Sequence, residues 1–519
     1  MEEKYHPSPD SPTEIPFQPA PASYLKSLVT QAGAQDPSHL IFGAERHKYK
    51  LNPPASPEQV RRFEEKHNIL LPEEYKFFLT QIGNGGAGPY YGLYSLEEAE
   101  RYTEYLETTQ TAAKEKDEEA PEPAFIDRRM MPEDWAVRME ELDNSSDDEY
   151  DSLMYKLCAG MLVIGTQGCT YDTVLMCRGS ERGKIVYIDW NLEPGYGPFF
   201  TGMPFLYWYE MYFQEILQDN NLTSYGYLCL KSEEELVKDF CEMDKKTGEE
   251  DNNMDFPPLN KEQLLSSLFR FKTAAAETID FLAALKEPEL DAMRTELLFR
   301  FDLHRGREVF EQLLSGSNPD AAICCARRLP EDEKCRYYQP MLQLLYGENI
   351  TEKNRLLYFL HDCKCRRARD IIAFAMDNNN KEETRKTAVY VIGTCDDKMN
   401  YVRELSELMR GESYWLAHTA LQAVFRSKCR KLDDTYLWMW EKYKTDRMMS
   451  ANLKMPSRQE SAHSRFSDQM RSFSCQPSRA GWGGCRSISN EVSNVPVKEF
   501  ANAARTPSST AVCASSTGR

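Results

Sequence analysis

Apolar residues recur every 31 or 32 positions in the second half of the chain, and this repeat constrains the fold more than any other feature. A unit of that length holds two helices, each of which buries one face against its neighbours. The pattern predicts stacked helix pairs over residues 259–446, with a non-repetitive helical bundle as the alternative. The recurring positions are Leu314, Leu345, Met376 and Leu408, then Ala326, Leu357, Ala388 and Ala420, then Leu329, Leu360, Val391 and Ala423.

The unit over residues 368–395 has the clearest pattern. Its segment from Thr384 to Gly393, preceded by Asp377, resembles a HEAT repeat, and weaker resemblance extends over residues 288–428. The resemblance implies an all-α array with an extended surface for protein partners. Some arrays of this kind bind DNA, but residues 251–450 hold 32 acidic and 31 basic residues, and this balance argues against a nucleic-acid partner.

The front half of the chain is strongly acidic. Residues 1–250 hold 46 acidic and 23 basic residues, a balance of -23, whereas the whole 519-residue chain has a net charge of -19. Such a charge repels nucleic acid and attracts a basic protein. The alternative is a charged surface that only keeps the protein soluble.

The same half mixes helices with strands. Ser56 to Gln59 forms a capping box that begins one helix, and a second helix begins near Pro72. Short connections between three strand-like runs predict an antiparallel sheet. The second helix buries Tyr75, Phe78, Leu79 and Ile82. The strands are Met161–Thr166, Tyr171–Cys177 and Lys184–Asp189, with a short strand expected at Tyr90–Leu96, a helix at Glu97–Tyr105 and an aromatic helix at Pro204–Leu217.

Three blocks in this half resemble the SUKH superfamily. They run from Leu71 to Leu93, from Leu162 to Trp190 and from Phe205 to Leu217. The resemblance implies an α+β domain that binds other proteins and has no catalysis of its own. The superfamily includes fungal cell-wall assembly regulators and bacterial immunity proteins that neutralise toxins, often nucleases. We therefore expect an immunity protein that binds a basic toxin; the alternative is a scaffold or regulator whose helical array docks a cellular partner.

A glycine-rich loop in the first block matches G-x-G-x-x-G. A dinucleotide site needs this motif after a strand and before a helix, but here a helix precedes it and a strand follows. We therefore interpret it as a tight turn, in which Gly83 takes the left-handed conformation that ends a helix. The glycines expected to serve turns are Gly83, Gly85, Gly86, Gly88, Gly165 and Gly168.

Polar and aromatic residues near the turns and strand ends are the candidate partner contacts. Aromatic residues often anchor protein interfaces, although each of these side chains has packing in the core as its alternative. The predicted contacts are Asn84, Tyr90, Tyr91, Gln167, Tyr171, Asp189 and Trp190.

No cofactor, metal ion or catalytic cluster is predicted. The run from His361 to Cys365 lacks a second ligand pair of matching spacing, and Asp143–Asp151 lacks the central glycine of a calcium loop, so we expect a solvated loop there. The fifteen cysteines have no framework spacing and indicate reduced thiols in the cytoplasm. No apolar run approaches the length of a membrane span, and the first residues lack the apolar core of a secretory signal.

Composition divides the chain into five segments, and we expect its two folded parts to fold separately. The segments are a disordered Pro-rich arm (1–23), the SUKH-like α+β domain (24–230), an acidic linker ending at Pro257 and Pro258 (231–258), the HEAT-like helical domain (259–446) and a disordered Ser-rich tail (447–519).

Overall fold

The computed structural model describes residues 20–103, 126–192, 197–243, 260–316, 318–425, 427 and 429–457. These residues divide into two compact units, and the boundary in sequence falls between Ala274 and Ala275. The first unit is α+β and the second is all-α, as the sequence predicts.

The first unit contains one sheet and the helices that surround it. Its helices are α1 (Ala22–Gln35), α2 (Ala44–His47), α3 (Pro57–His67), α4 (Glu73–Phe77, continued by a π-helical turn over Phe78–Ile82), α5 (Leu96–Tyr102), α6 (Pro132–Asp143), α7 (Asp147–Cys158), α8 (Phe205–Leu217), α9 (Glu233–Met243) and α10 (Lys261–Ser267). Its strands are β1 (Met161–Gly168), β2 (Tyr171–Met176), β3 (Lys184–Asp189) and β4 (Phe199–Pro204).

The sheet is antiparallel throughout, in the order β1-β2-β3-β4. Val174 of β2 lies opposite Val163 of β1 and Val186 of β3, which fixes the register at the centre of the sheet. The three strands predicted from short connections are confirmed. β4 was not predicted, because Gly202 and Pro204 have low strand propensity. Its hydrogen bonds to β3 stabilise it as a strand in the structure.

Aromatic side chains from two helices form the centre of the core. The apolar face predicted for the second helix is buried, and Phe78 of α4 contacts Phe205 and Tyr209 of α8 edge-on, with ring centroids 5.3 and 4.9 Å apart. Edge-to-face pairs of this kind add stability beyond the area that they bury. The capping box at Ser56 is confirmed, because Gln59 N–H donates to the serine hydroxyl and the Gln59 side chain accepts from Ser56 N–H.

Two local predictions in the first unit are wrong. The segment expected as a strand at Tyr90–Leu96 contributes only isolated bridges, in which Leu93 pairs with Gly86 on one side and Gly165 on the other. The acidic run Asp143–Asp151 is the junction of two helices rather than a loop. α6 ends at Asp143, and Glu149 completes a capping box with Ser146 at the start of α7.

The span expected to be an acidic linker contains the helix α9. Leu236 and Phe240 are buried on one face of α9, and this apolar spacing outweighs the acidic composition. α10 belongs to the first unit, so that unit extends past the predicted boundary at residue 230. Pro257 and Pro258 lie outside the described residues.

The second unit is built of helices. They are α11 (Ala276–Ala284), α12 (Asp291–Phe301), α13 (Leu303–Ser315), α14 (Pro319–Cys325), α15 (Glu331–Lys334), α16 (Tyr338–Leu345), α17 (Lys353–Asp362), α18 (Ile372–Met376), α19 (Glu382–Gly393), α20 (Val402–Arg410), α21 (Tyr414–Ala423), α22 (Asp433–Tyr443) and α23 (Arg447–Ser457).

Helix pairs follow the 31- to 32-residue spacing. The first helix of a pair packs against the second, and the second helices α14, α17, α19 and α21 pack against one another in succession. The second and third repeat positions are buried in every pair, whereas Leu314 and Met376 are half-buried. The apolar repeat therefore marks the contacts between successive pairs.

The Ser-rich tail was expected to begin at residue 447. Instead α23 continues to Ser457 and buries Met449 and Leu453. These apolar residues lie four positions apart, which places both on one helix face. Residues 1–19 and 458–519, which hold most of the predicted arm and tail, lie outside the described residues.

Candidate partner-binding site

The glycine-rich loop after α4 is a turn, as expected, but its left-handed positions differ from the prediction. Gly83 is extended, with φ -177°, whereas Gly85 and Gly86 have φ +81° and +105°. A Cβ at Gly85 would lie 2.6 Å from the Tyr94 carbonyl. Backbone packing therefore requires glycine there.

The other turn glycines lie where two segments approach closely. A Cβ on Gly88 would lie 2.9 Å from the Leu93 side chain, and one on Gly165 would lie 2.7 Å from the Gly92 carbonyl. Gly168 has φ +92° in the β1–β2 turn. These glycines shape the backbone beside the candidate contacts.

Two of the predicted contact residues serve the first unit itself. The Asn84 side-chain oxygen accepts from Leu96 N–H at 2.9 Å, next to the start of α5. Tyr90 is 6 % exposed, and its hydroxyl donates to the Tyr225 carbonyl at 2.6 Å. Burial raises the pKa of Tyr90 well above its usual value. Tyr90 is therefore a core residue, and its prediction as a partner contact is corrected.

Asp189 braces the β1–β2 turn from within. Its side chain is 3 % exposed and accepts from the Thr170 hydroxyl at 2.5 Å and from Asn191 N–H at 3.1 Å. Trp190 is half-buried, and its indole N–H donates to Asp172 at 2.9 Å. Burial of Asp189 prevents direct contact with a partner, so this residue is also corrected to a positioning role.

The remaining predicted contacts lie along the same turn. Gln167 and Tyr171, at the facing ends of β1 and β2, are half-buried. The Gln167 oxygen accepts from the Tyr227 hydroxyl at 3.2 Å. Tyr91 is half-buried and lies over the turn, since a Cβ on Gly168 would be 3.0 Å from its ring.

A loop before α2 exposes two apolar side chains, one of which contacts Tyr91. Leu40 is 85 % exposed and Phe42 is 57 % exposed. The Phe42 ring meets the Tyr91 ring edge-on, with centroids 5.2 Å apart. We call Leu40, Phe42, Tyr91, Gly168 and Cys169 the aromatic turn surface.

The buried carboxylate of Asp36 holds this loop in place. It accepts from Leu40 N–H at 2.7 Å, from Ile41 N–H at 3.1 Å and from the Tyr49 hydroxyl at 2.9 Å. Burial is the main reason that the pKa of Tyr49 is raised, followed by its hydrogen bond to Asp36. Sequence reasoning missed Leu40 and Phe42; the available signal was an apolar Leu-Ile-Phe run between a polar Asp-Pro-Ser-His segment and a glycine.

A second surface feature is the acidic hairpin formed by α6 and α7. Trp135 and Met139 anchor α6 in the core, and Met154 and Leu157 anchor α7. An open depression of about 470 Å³ lies along the outer side of α6, lined by residues that include Asp134, Val137 and Glu141. The hairpin exposes two basic residues, Arg138 and Lys156. Its exposed acidic residues are more numerous: Glu133, Asp134, Glu140, Glu141, Asp143, Asp147, Glu149 and Asp151.

Over the described residues, no cluster of three or more His, Cys, Asp or Glu side chains is arranged to hold a metal ion. Within that part of the chain, no helix has the length and apolarity needed to cross a membrane. The exposed side chains described at the turn and the hairpin are aromatic, apolar and acidic.

An antiparallel sheet with covering helices, an exposed aromatic loop and an acidic hairpin characterise the α+β first unit. Residues 54–208 match the sequence model of the SMI1 / KNR4 family (SUKH-1). The match runs from just before α3 into α8 and includes all four strands, so the region similar to this family lies within the first unit. This confirms the resemblance predicted from the sequence. No curated protein and no solved structure matches the chain significantly.

Proposed function

We propose that this chain is a non-enzymatic protein-binding protein whose SUKH-1 domain recognises its partner through the aromatic turn surface. The exposure of Leu40 and Phe42 on a loop braced by Asp36 carries this proposal. A loop that is already fixed loses little conformational freedom on binding. Its exposed aromatic ring is the kind of side chain that anchors an interface.

The proposed partner is a basic protein toxin, such as a nuclease delivered by a neighbouring bacterium, which the chain neutralises in the cytoplasm. The SUKH-1 family includes immunity proteins and cell-wall regulators, which act through contacts with other proteins. The acidic hairpin supports a basic partner, because its exposed carboxylates attract positive charge over several ångströms. The same charge disfavours a nucleic-acid partner.

A scaffold or regulatory role is the second candidate. An exposed row on successive helix pairs favours it: the Arg327 guanidinium lies 5.9 Å from the Tyr358 ring, and Tyr358 lies 6.4 Å from the Tyr390 ring. His361 stacks on Tyr390 at 5.4 Å. In this alternative the second unit docks a cellular partner.

The test compares Phe42→Ala with Leu70→Ala in the full chain. Leu70 is also exposed, but its carbonyl accepts from Arg182 beside the β2–β3 connection, at the other end of the sheet. Affinity is measured by calorimetry for each small basic protein encoded beside the gene, and protection against its toxicity is measured by co-expression. We expect Phe42→Ala to weaken binding by about tenfold or more and Leu70→Ala to leave it unchanged.

The salt dependence and a third variant distinguish the two candidates. Binding to the aromatic turn surface should weaken as salt rises, because the acidic hairpin adds screened attraction. If Phe42→Ala binds normally and Tyr390→Ala abolishes binding, the helical unit is the recognition element and the proposed function is wrong.

A further inference from the structure

A chain of hydrogen bonds connects one buried histidine to the loop of the aromatic turn surface. His47 is 8 % exposed, and its Nδ1 accepts from Tyr49 N–H at 3.0 Å. The Tyr49 hydroxyl donates to the Asp36 carboxylate at 2.9 Å, and this carboxylate accepts from the backbone N–H groups of Leu40 and Ile41. The position of the exposed loop therefore depends on contacts that end at the His47 ring.

The backbone of the same segment adopts conformations that are unusual for residues with a Cβ. His39, Lys48 and Tyr49 have φ of +54°, +49° and +53°. Left-handed residues of this kind persist only where surrounding contacts offset their conformational cost. Lys48 and Tyr49 are consecutive, and the hydrogen bond from Tyr49 N–H to His47 lies at this point of the chain. Loss of that bond should therefore favour opening of the segment.

The closed segment accommodates the neutral His47 ring but not the protonated one. A protonated imidazole carries a donor on each nitrogen. The proton on Nδ1 would face Tyr49 N–H, so that a hydrogen bond would become a contact between two donors. Nε2 is buried, and among the described residues no group forms a hydrogen bond with it. A protonated His47 would thus be a buried charge whose two N–H groups have no acceptor.

Two charged groups act on the ring from the loop and from the end of α1. Burial has the largest effect on the pKa of His47 and lowers it; the charge of His39 also lowers it, Asp36 raises it, and the result is a pKa of about 4. Asp36 already accepts hydrogen bonds from three groups. Its attraction therefore does not outweigh burial.

The other titratable groups around the ring are neutral or exposed. Residues 83–94, which place Gly92 against the ring, include no charged residue. The Tyr49 ring meets the His47 ring edge-on with centroids 5.2 Å apart, and burial raises the pKa of Tyr49, on which Tyr212 of α8 also acts. The charged residues that flank His47 in sequence are exposed: Glu45, Arg46 and Lys48.

We propose that His47 is an acid-sensitive switch, whose protonation opens residues 36–49 and withdraws Leu40 and Phe42 from the aromatic turn surface. At neutral pH the ring is uncharged, and the hydrogen bonds through Tyr49 and Asp36 keep the loop closed. In the opened segment the ring is in water and binds a proton readily, so acid favours the opened state. As a regulation of partner binding this inference rests on the proposed function, whereas the opening itself involves no partner.

The expected size of the effect follows from the two proton affinities. The ring has a pKa near 6.5 when the segment is open and about 4 when it is closed. The contacts of the neutral ring stabilise the closed segment fully above about pH 6.5, and this stabilisation is lost as pH falls. The equilibrium constant for opening should therefore rise about 20-fold between pH 7 and pH 5.

The test measures amide hydrogen exchange in the full chain by mass spectrometry at pH 7, 6 and 5, with each rate divided by its intrinsic value at that pH. We expect exchange of peptides covering residues 36–49 to rise about 20-fold between pH 7 and pH 5. Peptides from β2 should exchange more slowly at every pH, which would show that the segment opens while the sheet stays folded.

Two variants separate His47 from other histidines. His47→Gln stays neutral, and its amide oxygen can accept from Tyr49 N–H, so the rise with acid should disappear. The exposed His304→Gln is the matched control and should show the same rise as the parent chain. In the parent chain labelled with 13C-histidine, NMR should also show one ring that titrates near pH 4 with its proton on Nε2, a measurement that does not depend on the variant folding.

An equal rise in His47→Gln and in the parent chain would overturn the proposal. Exchange of residues 36–49 and of β2 at the same rate at pH 5 would do so too, because the whole unit would then unfold together. If acid opens the segment as expected but Phe42→Ala binds the partner normally, the switch stands and the proposed function is wrong.

Discussion

His47 shows how one buried side chain can make the first unit sensitive to acid. Its Nδ1 accepts from Tyr49 N–H at 3.0 Å, so the folded state uses the neutral ring. Burial lowers the pKa of His47 to about 4; the charge of His39 also lowers it, and Asp36 acts in the opposite direction. Protonation of this histidine should therefore oppose folding.

The direction of the pH effect follows from the two states. An unfolded histidine has a pKa near 6.5, so between about pH 6.5 and 4 the unfolded chain binds the proton first. Above that window, proton binding at His47 does not reduce the free energy of unfolding. As pH falls through the window, the free energy of unfolding decreases, and the loss reaches roughly 3 kcal/mol at pH 4. His47→Gln should reduce the drop in urea midpoint between pH 7 and 4.5. The exposed His304→Gln is the control, and an unchanged drop in His47→Gln would contradict the assignment.

Which of the predicted contact residues are exposed depends on the backbone path, and the sequence alone did not separate them. Tyr90 and Tyr91 are adjacent aromatic residues with similar neighbours, yet Tyr90 has φ +55° and its ring is buried, while Tyr91 lies over Gly168. Which side a turn residue faces depends on the backbone path, and composition does not encode that path locally. Phe42 was missed for the same reason, because its exposure depends on the contacts of Asp36.

Close packing between second helices contributes to the stability of the helical unit. Gly393, the last residue of α19, lies against Ala423 of α21, where an added Cβ would be 3.0 Å from the alanine. Ala388 and Ala420 on the same two helices are fully buried. Small residues at these positions let the helices approach closely, so added volume should be costly.

We predict that Ala420→Leu destabilises the second unit by about 1–3 kcal/mol, because the added methylenes have no space between α19 and α21. Gln422→Leu places the same leucine side chain on the exposed face of α21 and should change stability by less than about 0.5 kcal/mol. Hydrogen exchange of peptides from α19 and α21 measures the change in stability in both variants. Equal exchange in the two variants would show that this contact is not tightly packed.

Elements with a local signal were predicted from the sequence, and those that depend on distant pairing were not. α3 has its own capping box, and β1 to β3 have short connections and apolar runs. β4 is stabilised by its ladder with β3, and the bridges at Leu93 depend on Gly86 and Gly165, far apart in sequence. The helix α9 was not predicted, because the segment was interpreted from its acidic composition and the spacing of its few apolar residues was not considered.

A buried ion pair connects the last segment of the first unit to the rest of that unit. The Arg270 guanidinium donates to the Glu215 carboxylate at 2.9 and 3.1 Å, and Arg270 also donates to the Lys231 carbonyl at 2.9 Å. Glu215 is 1 % exposed. The Arg270 carbonyl accepts from Asn221 N–H at 2.6 Å, so this residue connects the segment after α8 to the segment after α10.

The last prediction is that a fragment of residues 20–274 folds as a stable unit and one of residues 20–235 does not. The shorter fragment leaves Glu215 buried without Arg270, which costs about 3–5 kcal/mol, and it also loses Leu236 and Phe240. Circular dichroism during urea unfolding compares the two fragments. Within the longer fragment, Arg270→Met should reproduce much of the loss, whereas Lys272→Met, which removes only an exposed pair with Asp219, should not. If the two fragments unfold at the same urea concentration, the α+β domain ends before α9 and the Arg270 contacts contribute little to its stability.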